Sequence, residues 1–164
     1  MCDVARLRNG WGCVVIPDKN RVDIGIMIRG EIPHDIVSTF ADTGAYIYFL
    51  EAIAQIIPVL VLQDKISRHY ISFIDNEAAK HALVKGYGCV AATNKSISYF
   101  WGFCQEHKLH PWFERVTTQA NIADAISRDD ISEGLRRGWV LLEPDLQGVY
   151  SKLRDLGTNP HFAS

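Results

Sequence analysis

The sequence predicts an α/β domain: a central mixed sheet that opens with an antiparallel hairpin and is flanked by helices. Three observations lead there. A turn at Pro17-Asp18-Lys19-Asn20 separates two strand-like runs. Apolar residues then recur at helical spacing from Tyr46 to Leu60. Beyond them a short run rich in β-branched and aromatic residues, Tyr70 to Ile74, stops at Asp75 and gives way to a second helical pattern. Strands that alternate with helices in this way indicate helices packed on a largely buried sheet.

The elements follow in order. Met1 to Ala5 is a strand stub. Gly10-Trp11-Gly12 turns into the buried strand Cys13–Ile16, and Arg21–Ile28 is its hairpin partner. Pro33 to Ala41 reads as a short helix. The clearest helix is Tyr46–Ile57, and Pro58, which has no N–H to give, is expected to kink or end it. Tyr70–Ile74 is a central strand. Asn76 caps the helix through Ala78, Ala79, Ala82 and Leu83, and Gly86 and Gly88 stop it. Asn94–His107 is a helix, Pro111–Val116 a strand, and Ile122–Ser127 the start of a further helix. From Arg128 the chain becomes polar, with isolated apolar groups at Trp139–Leu142, a helical segment near Val149–Leu156 and a disordered end. Domain organisation is accordingly one domain over 1–130 and a helical or irregular extension over 131–164.

Composition sets limits. The chain has 164 residues, 48% hydrophobic and 22% charged, enough for one self-sufficient core. A net charge of -2 carries no global signature of a nucleic-acid binder, so any phosphate contact needs local lysines, arginines or bound cations. The most apolar stretch, Tyr46–Leu62, contains Glu51, Gln55 and Pro58 and suits a buried helix better than a membrane span. No secretory signal pattern opens the chain. Cys2, Cys13, Cys89 and Cys104 form no C-x-x-C pair and read as reduced thiols of an intracellular protein. Cys104, His107 and His110 have C-x-x-H-x-x-H spacing, but no fourth zinc ligand is evident nearby.

Four acidic residues stand at informative places. Asp3 is on the first strand, Glu51 on a mostly apolar helix, Asp75 at a strand end and Asp124 at a helix start. Singly, each has a plain structural explanation as a cap, a dipole partner or a solvated side chain. Jointly they suggest more. A carboxylate on a buried helix needs a partner or a cation. Strand ends are where α/β folds place their sites. Clustered carboxylates repel unless a divalent ion sits between them, and oxygen donors suit magnesium or manganese.

At these residues the chain resembles the ribonuclease H domains of retroelement polyproteins. Phe73-Ile74-Asp75-Asn76-Glu77-Ala78-Ala79, followed by Leu83 to Gly86, resembles their strand-to-helix motif. Asn121-Ile122-Ala123-Asp124 with Ser127-Arg128 resembles the more specific N-x-A-D-x-x-S-R motif. Leu50-Glu51-Ala52 resembles the helical glutamate, and Cys2-Asp3-Val4-Ala5 before Gly10-Trp11-Gly12 the first-strand aspartate with its turn. The resemblance covers roughly residues 2 to 128 and is strongest from Glu51 onward. It implies a ribonuclease H-like fold and metal-dependent cleavage of the RNA strand of an RNA–DNA hybrid. Asp3, Glu51, Asp75 and Asp124 would be catalytic ligands of two Mg2+ or Mn2+ ions, and an upstream reverse transcriptase domain would be a possible partner. Asn76, Gln119, Lys80, Lys85 and Arg128 are the substrate-contact candidates, with Lys95 and Lys108 further along.

Three departures bear on these expectations. The first strand is short, the loop Thr117-Thr118-Gln119-Ala120 lacks the histidine many relatives carry, and Glu31–Gly44 has the character of an insertion. The alternatives are a catalytically degenerate module of the same fold that binds nucleic acid or supports a polymerase, and an integrase or exonuclease on that fold. The aromatic group Tyr99, Phe100, Trp101 and Phe103 reads as core rather than as a base-stacking platform.

Overall fold

The computed structural model describes residues 2–5, 9–38, 46–88 and 91–158. Its element order is β1 (Cys2–Ala5), β2 (Gly10–Val15), β3 (Ile26–Glu31), α1 (His34–Ser38), α2 (Tyr46–Leu62), β4 (His69–Ile74), α3 (Glu77–Lys85), α4 (Ala91–His107), β5 (His110–Arg115), α5 (Asp124–Ser127), α6 (Ser132–Arg136), β6 (Val140–Leu141) and α7 (Gln147–Thr158). The expected α/β class is what is found. Hydrogen bonding divides the strands into a mixed sheet in the order β1-β2-β3-β6 and a parallel pair β4-β5. β1 lies against β4, so the two sheets meet there.

β2 shows why the sheet is covered on both faces. Side chains alternate along a strand. Trp11 and Cys13 enter the main core with Ile28, Phe49, Ile53 and Ile57. Val14 points the other way, into a smaller cluster with Met27, Ile126 and Trp139. The first face carries α2 and α7; the second carries α5 and the segment around Trp139. Trp11 Nε1 donates to Tyr150 Oη at 2.9 Å across the main core, which ties α7 to the middle of the sheet.

Several boundaries differ from the sequence reading. β3 begins at Ile26, not at Arg21. Arg21–Gly25 is spent in turns, with Arg21 N bonded to Asp18 O at 2.9 Å, Ile24 N to Arg21 O at 2.9 Å, and an Arg21–Asp23 ion pair. α2 runs four residues past Pro58 to Leu62. Burial of Ile57, Pro58 and Val59 in the core holds the helix where backbone bonding alone would break it. Trp139–Leu142 is no isolated apolar patch: β6 pairs parallel with β3, and the indole of Trp139 donates to Val22 O at 2.8 Å. The foreseen helix near Val149–Leu156 is α7. The end of the α1 expectation, much of Glu31–Gly44, Cys89 and residues 159–164 lie outside the described residues. Among the described residues, no helix is long and apolar enough to cross a membrane.

Candidate functional site

The sheet register makes a row of Asp3, Gly12 and Arg29 across β1, β2 and β3. Residues directly opposite one another in antiparallel strands share a face. A Cβ at Gly12 would stand 2.6 Å from Ser127 N and 2.8 Å from Ile126 C, so the backbone of α5 rests directly on this row. Only a glycine permits that approach. Arg29 holds the chain just past the same helix, with Nη1 2.8 Å from Asp129 Oδ1 and 3.3 Å from Asp129 O. α5 carries Asp124, so the motif around Asp124 is docked beside the register position of Asp3. The Asp3 backbone belongs to β1; its side chain lies outside the described set.

The local chain explains how Asp124 is held. Asn121 is buried, and its Oδ1 accepts from Ala123 N at 3.1 Å, closing the turn before the helix. Its Nδ2 has no hydrogen-bond partner among the described residues, an orphaned donor close in sequence to the carboxylate. Ser127 Oγ donates to Asp124 O at 2.7 Å. Arg128 Nη2 and Nε reach Asp124 Oδ1 at 3.0 and 3.2 Å. The two residues are one helical turn apart, so the guanidinium faces the carboxylate as an i,i+4 ion pair.

Asp75 follows β4 at the end of the parallel pair. Ile74 is fully buried, and its carbonyl accepts from Val116 N at 3.1 Å, so both strand ends are fixed. Asn76 caps α3, its Oδ1 accepting from Ala79 N at 2.9 Å, and Gly86 closes that helix at φ 81°. Asn76 therefore has a structural duty on its side-chain oxygen. Charged side chains crowd these strand ends. Arg115, in register with Ile74, reaches Glu77 Oε2 at 2.9 Å, and Lys80 Nζ is 3.8 Å from Glu114. The backbone N–H of Arg115, the Trp112 indole and the Lys80 ammonium hold the Glu114 carboxyl below its usual range.

Glu51 is 7% exposed, between buried Leu50 and Ala52 on α2, and α2 packs against β1. The helices carrying Glu51 and Asp124, and the strand that Asp75 follows, thus all border the strand that carries Asp3. Among the described residues, no three histidine, cysteine or carboxylate side chains form a group able to hold a metal ion. The donor chemistry still suits a hard divalent cation: carboxylate oxygens, one of them deeply buried.

The other substrate candidates are dispersed. Gln119 is exposed in a single turn of 3-10 helix, Thr118–Ala120. Lys85 ends α3 and is exposed, Lys95 lies in α4, and Lys108 follows α4 at φ 56°. The aromatic group is mostly core: Phe100 is fully buried, Trp101 and Phe103 pack against the main core, Trp101 donates to Leu83 O at 2.8 Å, and Tyr99 lies under the Lys152 ammonium. The zinc-like spacing does not converge. Cys104 is buried, His107 stacks on Phe103 and His110 stacks on His69. Sequence reasoning missed Arg115 and Arg29. Each becomes visible only once the strand register sets it beside Asp75 or in the row of Asp3.

No protein-family model matches the chain, and neither a curated protein nor a solved structure matches it significantly.

Proposed function

We propose that this chain is a ribonuclease H-like nuclease that hydrolyses the RNA strand of an RNA–DNA hybrid with two divalent cations. One observation carries the reading: α2 and α5, which bear Glu51 and Asp124, and β4, which Asp75 directly follows, all border β1, which bears Asp3. Three sequence segments that carry or adjoin an acidic residue thus neighbour the strand that carries a fourth. Together with the two motif resemblances around Asp75 and Asp124, that placement favours Asp3, Glu51, Asp75 and Asp124 as metal ligands.

Bound there, Mg2+ or Mn2+ would activate the attacking water and stabilise the leaving oxygen. The chain's own residues do the rest. Burial of Glu51 keeps its carboxylate in a low-dielectric setting where attraction to a cation is strong. Asn121 closes the turn that leads into Asp124, and the Gly12 contact seats the end of the same short helix. The amide nitrogen of Asn76, whose oxygen caps α3, would sense a 2′-hydroxyl near Asp75. Lys80, Lys85, Arg115 and Arg128, with Gln119, offer donors to the strand phosphates. An attached reverse transcriptase domain would add grip that a chain of net charge -2 lacks.

The deciding measurement is cleavage of a labelled RNA–DNA hybrid with Mg2+, with Mn2+ and with chelator, beside Asp75→Asn and Asp124→Asn. Cutting of the RNA strand alone is expected. Each substitution should lower it by more than the roughly 10–100-fold that loss of an outer-shell partner costs. Cleavage of duplex DNA or single strands instead would indicate an integrase or exonuclease. A second reading is a non-catalytic nucleic-acid-binding module. The Asp124–Arg128 pair favours it, because that carboxylate already has a neutralising cation. Hybrid binding without metal-dependent cutting would decide for this module.

A further inference from the structure

The parallel pair β4–β5 has two unlike faces, because side chains alternate along a strand. Tyr70, Ile74 and Phe113 turn into the main core. The outer face carries His69, Ile71 and Phe73 in register with His110, Trp112 and Glu114. This face is rich in rings. The His69 and His110 imidazoles stack, with centroids 4.7 Å apart and planes 17° from parallel. Trp112 is 66% exposed, the most of any large apolar side chain among the described residues. Glu114, the one carboxylate among these six side chains, is already engaged. It accepts from the Trp112 indole at 3.4 Å and from Arg115 N at 3.0 Å, and Lys80 Nζ is 3.8 Å away. Arg68 and Lys108, both exposed, stand just before the two strands.

We propose that this outer face binds a single-stranded nucleic acid, with bases stacked on the exposed rings of Trp112 and His110. Three arguments identify this occupant. The first is shape. Every base has a flat π-face that an indole or imidazole can cover, and unpaired bases stack on such rings whatever their sequence. His69 backs the His110 ring, and the bond to Glu114 steadies the indole, so both platforms are held before a base arrives. Each strand has six residues. That is about 20 Å of sheet, a span suited to about two or three stacked bases. The second is charge. Arg68 and Lys108 lie at the strand starts, and Lys80 offsets the lone acid, so a polyanion is the complementary partner. The third is area. Ile71 and Trp112 are the only largely exposed apolar side chains of the face, far short of the roughly 800 Å² per partner of a stable protein interface. This binding needs no metal ion, and no part of it rests on the acidic residues of the candidate site.

The test is fluorescence anisotropy of the full chain, in chelator, with labelled oligouridylate and oligothymidylate of about eight nucleotides. Saturable binding that weakens as salt rises is expected. Trp112→Ala and His110→Ala, both at exposed positions, should each weaken it by about tenfold. An abasic strand of the same length keeps the phosphates and has nothing to stack, so it should bind at least about tenfold more weakly. With fluorine-labelled tryptophan incorporated, the Trp112 resonance, assigned from Trp112→Phe, should shift during the titration. Absence of saturable binding, equal binding of the abasic strand, or indifference to both alanine substitutions would each overturn the proposal. So would a dimer of the chain that Trp112→Ala dissociates, which would give the face to a second copy instead.

Discussion

Gly12 is the residue on which the candidate site depends most. Any side chain there meets the α5 backbone, which cannot rotate away as a flexible side chain would. Gly12→Ala should destabilise the fold by about 1–3 kcal/mol through overpacking. It should also displace Asp124, and cleavage should fall further than the lost stability explains. Denaturant titration beside hybrid cleavage separates the two effects. Cys104 offers a different check. Burial pushes its thiol up to about 11, partly opposed by a hydrogen bond with Tyr70. The folded state thus favours the neutral thiol. Its contribution to stability is complete below the ordinary thiol range and is lost as pH climbs through that range toward about 11. Iodoacetamide should leave Cys104 unlabelled at neutral pH until denaturant is added.

The elements differ in how openly the sequence announces them. α3 was fully legible, because Asn76 and Gly86 write its two ends in local chemistry. Asn76→Ala should cost about 1 kcal/mol by removing that cap, read as a lowered denaturation midpoint. β3 was legible as a strand but not in position, since an ion pair and two turns, rather than periodicity, decide where Arg21–Gly25 ends. β6 was not legible at all. Two residues carry no period, and only the β3 edge makes them a strand. α1 and α7 are joined by an ion pair of Asp35 with Arg154, whose guanidinium holds the Asp35 carboxyl below its ordinary range. Because the folded value is the lower one, this pair supports the fold above the ordinary aspartate range and fails as pH falls through the folded value. Thermal melts of wild type and Arg154→Ala should therefore converge at strongly acid pH and separate slightly at neutral pH.

Across the whole molecule, the sequence indicated the α/β class and which four segments carry acids. It could not indicate that those segments share one strand as neighbour, since that depends on β1 lying between β2 and β4. Nor did it foresee that residues beyond 131 contribute to the sheet and core. Tyr150 and Leu153 are buried in the main core, and β6 extends the mixed sheet. Tyr150→Phe removes the acceptor of the Trp11 indole and should cost about 1–3 kcal/mol for the stranded donor, measured by denaturant unfolding.

That same indole–phenol bond has a temporal side. It joins residues 139 positions apart, one on an early strand and one on α7. During synthesis the chain emerges amino end first, so Trp11 leaves the ribosome long before its partner does. Until Tyr150 follows, the central face of the nascent sheet stays open to water and to chaperones. The proposed cleavage would therefore await the emergence of α7, long after the strand that carries Trp11.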